Sequence, residues 1–264
     1  MLKNSRRLLL APVVALSLGL AGTVQAETVT IGIQSMYAPW KNAIAEKEFE
    51  KATGWDIQWR NFDSGGDVMM AMASGDVQIG VAGSSPIASA VSRGIPIEVF
   101  WVLDNIANAE ALVVRNGSGI NAPQDLAGKT LAVPFVSTTH FHTLFALEQF
   151  GLTGKVKVIN LQPSDIPAAW ERGDIDAAFI WDPALGKLKQ SGKVLISSGT
   201  LSSWGKATFE ALVADKDFAA KHVDGMTAFT KVLQSSTSDY VKAPESWDAT
   251  CLLYTSDAAD ERSS

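Results

Sequence analysis

The sequence predicts an α/β fold, in which the strands of a largely parallel sheet alternate with helices. Residues 55–62 have the pattern of a strand, residues 68–73 that of a helix, and residues 77–82 that of a buried strand. Such a strand–helix–strand unit favours parallel strands joined by a right-handed crossover. A Gly-Asp turn at residues 75–76 precedes the buried strand. Residues 173–183 repeat this pattern of a Gly-Asp turn followed by a short apolar strand, so a second unit of this kind is expected later in the chain.

Composition narrows the function classes. The chain has 264 residues, 47% of them hydrophobic, and a net charge of −6, which gives material for a core and no basic surplus for binding nucleic acid. Its one cysteine, Cys251, indicates that the fold relies on packing and not on disulfides. Three histidines without a ligand cluster do not form a zinc pattern, so we expect neither a metal nor another cofactor.

The amino terminus has the pattern of a secretory signal peptide. Three basic residues among the first seven precede an apolar run at residues 8–20, and Val24-Gln25-Ala26 supplies the small residues of a cleavage site. The apolar run is too short and wrongly flanked for a membrane-spanning helix. We therefore predict a signal peptide over residues 1–26, cleavage after Ala26 and an exported, periplasmic protein.

A predicted helix start follows the buried strand at residues 77–82. Gly83-Ser84-Ser85-Pro86 leads into a small, apolar helix, and a serine N-cap followed by proline is typical of such a start. The unpaired N–H groups and the helix dipole at this end favour an anion. Ser84 or Ser85 either caps the helix alone or also contacts a bound anion.

A second predicted helix start follows the strand at residues 129–134. The hydroxyls of residues 137–139 cluster at its amino end, and His140 and His142 follow. Without carboxylate or thiol neighbours, these histidines are more typical of packing or hydrogen bonding than of metal binding. The two helix starts can hold one tetrahedral anion only if they face each other across a cleft.

Two further candidates lie at the carboxyl ends of predicted strands, where open α/β sheets bind ligands. Gln34 ends the first strand and is either a ligand contact or a solvated loop amide. Trp181 ends a later strand, just before Asp182 and Pro183, and either walls a cleft or packs in the core.

Two carboxylates stand in otherwise apolar strand surroundings. Glu110 immediately precedes an apolar segment, and Glu210 interrupts another. A charged side chain at such a position must either lie at the open end of the strand or interact with a partner group. The two acids either converge on a cation or are hinge carboxylates satisfied by backbone donors or an arginine.

From residue 29 to residue 247 the chain resembles the sulfonate-, nitrate- and taurine-binding family of periplasmic solute-binding proteins, which serve ABC importers. The segments that carry the resemblance are residues 62–65, 73–80, 83–86, 96–100, 110–114, 132–140, 160–163, 169–176 and 204–205. They cover most of the chain that follows the predicted signal peptide.

The resemblance implies a type II periplasmic-binding-protein fold, with two α/β lobes, a ligand cleft and two crossover strands. Lobe 1 would comprise residues 27–109 and 205–250, and lobe 2 residues 110–204. The second segment of lobe 1 would be truncated, and residues 251–264 do not continue the family pattern and are interpreted as a non-native tail. The implied protein is a monomer that passes its ligand to a membrane permease.

The resemblance also implies taurine as ligand. The residues that would hold its sulfonate are Gln34, Ser84, Ser85, Thr138 and Thr139, with His140 directly following. Glu110 would meet the ammonium group, and Trp181 would wall the cleft. Two positions depart from the family pattern: Glu210 stands where aspartate is expected, and Asp182 stands where alanine is frequent.

Two other interpretations of the sequence stay open. The ligand is an alkanesulfonate other than taurine, or the chain is an enzyme on the same fold. No pair of a nucleophile and a base can be recognised in the sequence, which favours binding over catalysis. A sensor module would need a membrane segment or signalling domain, which the sequence does not show.

Overall fold

The computed structural model describes residues 26–36 and 38–243. Within them the strands are β1 (Thr28–Gln34), β2 (Asp56–Phe62), β3 (Ile79–Gly83), β4 (Ile97–Asn105), β5 (Glu110–Arg115), β6 (Thr130–Val133), β7 (Lys157–Asn160), β8 (Ala177–Trp181), β9 (Gly192–Ser197) and β10 (Phe209–Asp215). The helices are α1 (Lys41–Ala45), α2 (Glu48–Thr53), α3 (Gly65–Ala73), α4 (Ser84–Ser92), α5 (Thr138–Gln149), α6 (Ile166–Arg172), α7 (Ala184–Lys189), α8 (Ser198–Ser203), α9 (Lys216–Lys221) and α10 (Val223–Lys242). Short 3-10 helices cover Ala107–Ala109 and Pro123–Leu126.

The described strands form two five-stranded sheets, one in each lobe. The first sheet has the order β2-β1-β3-β10-β4, and the second has the order β7-β6-β8-β5-β9. The chain passes from the first sheet to the second between β4 and β5, and returns between β9 and β10. The predicted α/β fold with two lobes is confirmed, whereas the residue bounds given above for each lobe stay a prediction.

Each sheet mixes parallel and antiparallel pairs in the same way. In the first sheet β1 is parallel to β2 and β3, as the strand–helix–strand pattern predicts, while β10 is antiparallel to β3 and β4. In the second sheet β6 is parallel to β7 and β8, while β5 is antiparallel to β8 and β9. Each antiparallel strand is the one that follows a passage between the sheets.

Apolar residues on both faces of each sheet fix the helices. In the first lobe, Phe49 of α2 and Phe229 of α10 are fully buried, and their ring centroids lie 4.4 Å apart. In the second lobe, Phe179 of β8 packs with α5, and Trp170 of α6 packs on the opposite face of the sheet. Because side chains alternate between faces along a strand, both faces of these buried strands are apolar.

Two local predictions need correction. The mixed apolar and charged spacing of residues 41–53 predicts one helix, but the structure divides it into α1 and α2, because Lys47 adopts a left-handed backbone conformation with φ of 55°. The N-cap of α4 is Gly83 and not a serine, and Pro86 is the third helical residue. Both serines of this start therefore lie inside the first turn of the helix.

In the described part of the chain no helix combines the length and the apolar character needed to cross a membrane. The predicted signal peptide lies outside the described residues except for Ala26, and the predicted tail at residues 251–264 lies wholly outside them.

Candidate ligand-binding cleft

A cleft open to solvent, with an empty volume of about 690 Å³, lies between the two lobes. Its residues come from both sheets and from the turns that follow their strands. They are Gln34, Met36, Gly65, Gly83, Pro86, Asp104, Ile106, Ala109, Glu110, Ser137, Thr138, Trp181, Asp182 and Glu210.

Three helices begin at this cleft. Gly65 is the first residue of α3, Gly83 is the N-cap of α4, and Ser137 is the N-cap of α5. The Oγ of Ser137 accepts a hydrogen bond from the His140 N–H at 3.0 Å, which fixes the first turn of α5. The first N–H groups of a helix have no partner within it and carry the positive end of its dipole. The cleft therefore offers main-chain donors to an anion from both lobes.

Glycine at position 83 allows the two lobes to approach each other. A Cβ built on Gly83 would lie 2.6 Å from the Cγ2 of Thr138 and 3.6 Å from the Oε2 of Glu210. Heavy atoms do not pack at 2.6 Å without a hydrogen bond, so a side chain here would displace α5 from α4. The close approach of these two helix starts depends on the missing Cβ.

Strand register groups two carboxylates in the first lobe. β10 lies between β3 and β4, and Glu210 is paired with Gly83 on one side and Asp104 on the other. The Oε1 of Glu210 accepts a hydrogen bond from the Nε2 of Gln34 at 2.9 Å. Gln34 also donates to the Val81 carbonyl oxygen at 3.3 Å, so its amide is held by two acceptors.

A third carboxylate, Glu110, begins β5 in the second lobe and is paired with Trp181 of β8. Only 4% of Glu110 is exposed. The Thr138 hydroxyl donates to its Oε1, and the Oγ of Ser198 lies 3.1 Å from its Oε2. Both hydrogen-bonding partners come from helix starts, α5 and α8.

Burial makes these three acids hold their protons more tightly than usual. It raises the pKa of Glu110 to about 7, against the hydrogen bonds from Thr138 and Ser198, which lower it. Burial, and then repulsion from Glu110 and Asp104, raises the pKa of Glu210 well above its usual range. The pKa of Asp104 is also raised by burial. A cation placed among the three would favour their charged forms.

This shift predicts how the stability of the ligand-free protein depends on pH. The pKa of Glu110 is about 7 in the folded protein and about 4.5 in the unfolded chain. The stability that follows from this difference is complete below about pH 4.5 and is lost as pH rises to about 7. In a Glu110→Gln variant this loss is absent, so the variant should gain stability relative to wild type across that window. Urea unfolding at a series of pH values measures the difference, and parallel pH profiles would contradict it.

The structure brings six of the residues predicted from sequence to the cleft: Gln34, Glu110, Thr138, Trp181, Asp182 and Glu210. Trp181 donates from Nε1 to the Ser35 carbonyl oxygen at 3.3 Å, which links the lobes at the cleft wall. The Oδ1 of Asp182 accepts from the Gly186 N–H at 2.8 Å, so this acid also caps the start of α7.

Four predicted residues do not line the cleft. Ser84 accepts from the Phe209 N–H at 3.4 Å, and Ser85 is half-buried in the first turn of α4. Thr139 is fully buried and shares a hydrogen bond of 2.7 Å with Ser137. His140 stacks on the Phe135 ring, with centroids 4.4 Å apart.

Several residues that line the cleft, Asp104 and Gly65 among them, were not predicted from the sequence as ligand contacts. Asp104 directly follows an apolar run at residues 97–103, and a charge at the end of such a run is a usable signal. Gly65 belongs to a Ser-Gly-Gly turn between strand and helix. The sequence emphasises hydroxyls at the helix starts, whereas the glycines bring the backbone into contact with the cleft.

A buried polar chain continues behind Glu110, away from the cleft. The Oγ of Ser198 lies 2.7 Å from the Nδ1 of His142, and the Nε2 of His142 lies 2.7 Å from the Lys206 carbonyl oxygen. Neither Ser198 nor His142 is exposed to solvent.

Two α/β lobes that enclose a cleft of this kind define a solute-binding protein of the periplasmic type. The chain belongs to the NMT1/THI5-like family, whose sequence profile matches residues 43–247. It is 45% identical over 245 residues to the taurine-binding periplasmic protein of Escherichia coli K12, an alignment that covers 92% of this chain and 75% of that protein. The resemblance noted from the sequence motifs is confirmed.

Solved structures with the same fold include sulfonate-binding proteins. The alkanesulfonate-binding protein SsuA of Xanthomonas axonopodis pv. citri, solved bound to MOPS, gives a TM-score of 0.77 at 22% identity over 87% of this chain and 80% of that one. The periplasmic aliphatic sulphonate binding protein SsuA of E. coli gives a TM-score of 0.72 at 26% sequence identity, and the match covers 88% of this chain and 79% of that one.

One relative is an enzyme. The chain is 25% identical over 195 residues to the 4-amino-5-hydroxymethyl-2-methylpyrimidine phosphate synthase of Schizosaccharomyces pombe. The alignment covers 67% of this chain and 54% of that protein.

Proposed function

We propose that this protein captures taurine in the periplasm and delivers it to the membrane permease of an ABC importer. The observation that carries the proposal is the joint presence, in one cleft, of buried carboxylates and several helix starts. We further propose that the protein is an exported monomer, with lobe 1 over residues 27–109 and 205–250 and lobe 2 over residues 110–204. The taurine-binding relative supports this ligand, and the sulfonate-binding neighbours support the class.

The charges of the cleft match a zwitterion. A ligand with only a negative charge would gain nothing from Asp104, Glu110 and Glu210, whose ionised forms repel it. A ligand with only a positive charge would leave the N–H groups of the helix starts without an acceptor. Taurine carries a sulfonate and an ammonium group a few bonds apart, so it can satisfy both sets of groups at once.

The sulfonate is proposed to bind mainly to backbone N–H groups. The Thr138 hydroxyl has one proton, and it donates that proton to Glu110. Thr138 therefore contributes its main chain at the start of α5 to the anion, while its side chain orients the carboxylate. Glycines at 65 and 83 let the sulfonate approach the backbone closely.

We propose binding without catalysis. Serine, histidine and glutamate do form a hydrogen-bonded chain here, but Ser198 lies between the other two, whereas in a catalytic triad the histidine lies between nucleophile and acid. Ser198 is fully buried and does not line the cleft, so it cannot reach a substrate. In the described residues no group of His, Cys, Asp and Glu is arranged to hold a metal ion.

Calorimetric titration with taurine, ethanesulfonate and ethylammonium tests the proposal. We expect one taurine per chain, much weaker binding of ethanesulfonate and ethylammonium, and taurine recovered unchanged after incubation. Equal affinity for taurine and ethanesulfonate would show that the cleft does not recognise the amine. Chemical conversion of taurine would favour an enzyme, and absence of taurine binding would overturn the proposed ligand.

A further inference from the structure

We propose that Ser198 and His142 form a proton relay behind Glu110, which moves the carboxyl proton to the imidazole when the ammonium group of the ligand binds. This inference rests on the proposed function, because the ammonium group drives the transfer. His142 touches no ligand in this scheme, so it is a positioning residue that sets the charge of Glu110.

The first step of the argument concerns the tautomer of His142. Its Nε2 lies 2.7 Å from the Lys206 carbonyl oxygen, which can only accept a hydrogen bond. Nε2 therefore carries a proton, since two acceptors at this distance would repel each other. The Nδ1 of His142 then either accepts from Ser198, if the ring is neutral, or donates to Ser198, if the ring is an imidazolium.

The second step counts the protons of Ser198. Its hydroxyl contacts both the Nδ1 of His142, at 2.7 Å, and the Oε2 of Glu110, at 3.1 Å, yet it has one proton to donate. If Ser198 donates to a neutral His142, Glu110 must be protonated and donate to Ser198. If Ser198 donates to an ionised Glu110, His142 must be an imidazolium and donate to Ser198. Both arrangements contain the same number of protons.

The two arrangements interconvert by a shift along the chain. The proton of the Glu110 Oε2 moves to the Oγ of Ser198, and the original Ser198 proton moves to the Nδ1 of His142. One O–H bond breaks and one N–H bond forms, while Ser198 ends with one proton as before. No proton is exchanged with solvent, and the protein gains a buried carboxylate facing the cleft and a buried cation behind it.

The surrounding charges decide which arrangement is favoured. Asp104 of β4 and Glu210 of β10 face the cleft side of Glu110 and disfavour a further negative charge, and burial lowers the pKa of His142. On the far side of His142 its Nε2 meets the backbone carbonyl of Lys206, and the ammonium group of Lys206 lies over a phenylalanine ring of α5, 5.6 Å from the ring centroid. Without ligand the proton belongs on Glu110. A ligand ammonium beside Glu110 reverses this preference.

Three histidines in the chain make the test direct. With ¹⁵N-labelled histidine at about pH 6, the signals of His142 should change from a neutral ring protonated at Nε2 to an imidazolium when taurine is added. Calorimetry in two buffers of different ionisation enthalpy should show that wild type retains the Glu110 proton on binding, so that it releases about one proton fewer than a variant without the relay. The affinity of wild type for taurine should therefore fall less steeply than that of such a variant as pH falls below 7.

Interrupting the relay should change the proton count and not only the affinity. In His142→Gln or Ser198→Ala, taurine must expel the Glu110 proton to solvent, so binding should release about one proton more than in wild type and should weaken about tenfold more for each pH unit below 7. A purely structural role would weaken binding equally at every pH. His222→Gln changes the N-cap residue of α10, which does not line the cleft, so this variant serves as the control and should behave like wild type.

Several results would overturn the relay. Taurine binding to wild type with His142 still neutral, or with release of as many protons as in the relay variants, would do so, as would pH profiles of both relay variants that run parallel to that of wild type. The ligand-free protein gives a separate test, since an ionised Glu110 or a His142 protonated at Nδ1 alone at about pH 6 contradicts the relay whatever taurine does. Failure of taurine to bind would instead overturn the proposed function, and the ligand-free spectra would still decide the relay.

Discussion

Replacing Glu110 with glutamine is expected to weaken taurine binding by on the order of 2–5 kcal/mol at neutral pH. Glutamine can keep both hydrogen bonds, accepting from Thr138 and donating to Ser198, so the shape of the cleft is preserved. What is lost is the negative charge that pairs with the ammonium group in a buried site. Ethanesulfonate has no amine, so its affinity should hold or improve.

Calorimetric titration of both ligands measures this difference. Glu148→Gln is the matched control, because it makes the same chemical change on the exposed face of α5 and should leave both affinities unchanged. If Glu110→Gln weakened taurine and ethanesulfonate equally, Glu110 would support the geometry of the cleft without recognising the amine.

The second large effect is expected from Gly83→Ala. The added Cβ would lie 2.6 Å from the Cγ2 of Thr138, so α4 and α5 would have to separate. We expect taurine affinity to fall by about 1–3 kcal/mol, the usual magnitude for overpacking a well-packed contact. Thermal unfolding of the ligand-free variant shows how much of this strain the fold itself carries.

A second substitution makes this prediction specific. Thr138→Ser removes the Cγ2 methyl and keeps the hydroxyl that donates to Glu110. The double variant Gly83→Ala with Thr138→Ser should therefore recover most of the affinity that Gly83→Ala loses. Losses that simply add in the double variant would mean that the clash between the two helix starts is not the cause.

Local sequence patterns were sufficient for the parts of the cleft that depend on neighbouring residues. Each local pattern predicts the structure of the turn that contains it. The patterns are a glycine before one helix, hydroxyl residues before another, and a tryptophan at the end of a strand. The hydroxyl and tryptophan patterns indicated Thr138 and Trp181, whereas Glu110 was assigned to the ligand by the resemblance to the family. They did not distinguish Thr139 from Thr138, because one helical position turns a side chain by about 100° and moves it from the cleft to the core.

The remaining features depend on strand register between distant segments. Asp104 reaches the cleft because β10 pairs with β4 and sets Glu210 beside it, and no pattern within either strand specifies that pairing. The buried chain from Glu110 to His142 likewise needs α5 and α8 to pack on the same end of β5. His142 was expected to pack or to form hydrogen bonds, and it forms two, but its partners could not be inferred from the sequence.

The position of β10 has a consequence for the order in which the chain folds. The strands of the second sheet are contiguous in sequence, from Glu110 to Ser197, so their contacts are comparatively local. The first sheet cannot be completed until Phe209–Asp215 is inserted between β3 and β4, which were synthesised long before. Strand pairing between residues distant in sequence is slow. Until β10 is inserted, the unpaired edges of β3 and β4 can associate with other chains. The second lobe should therefore form first, and the arrival of this single late strand should limit the rate at which the ligand cleft is assembled.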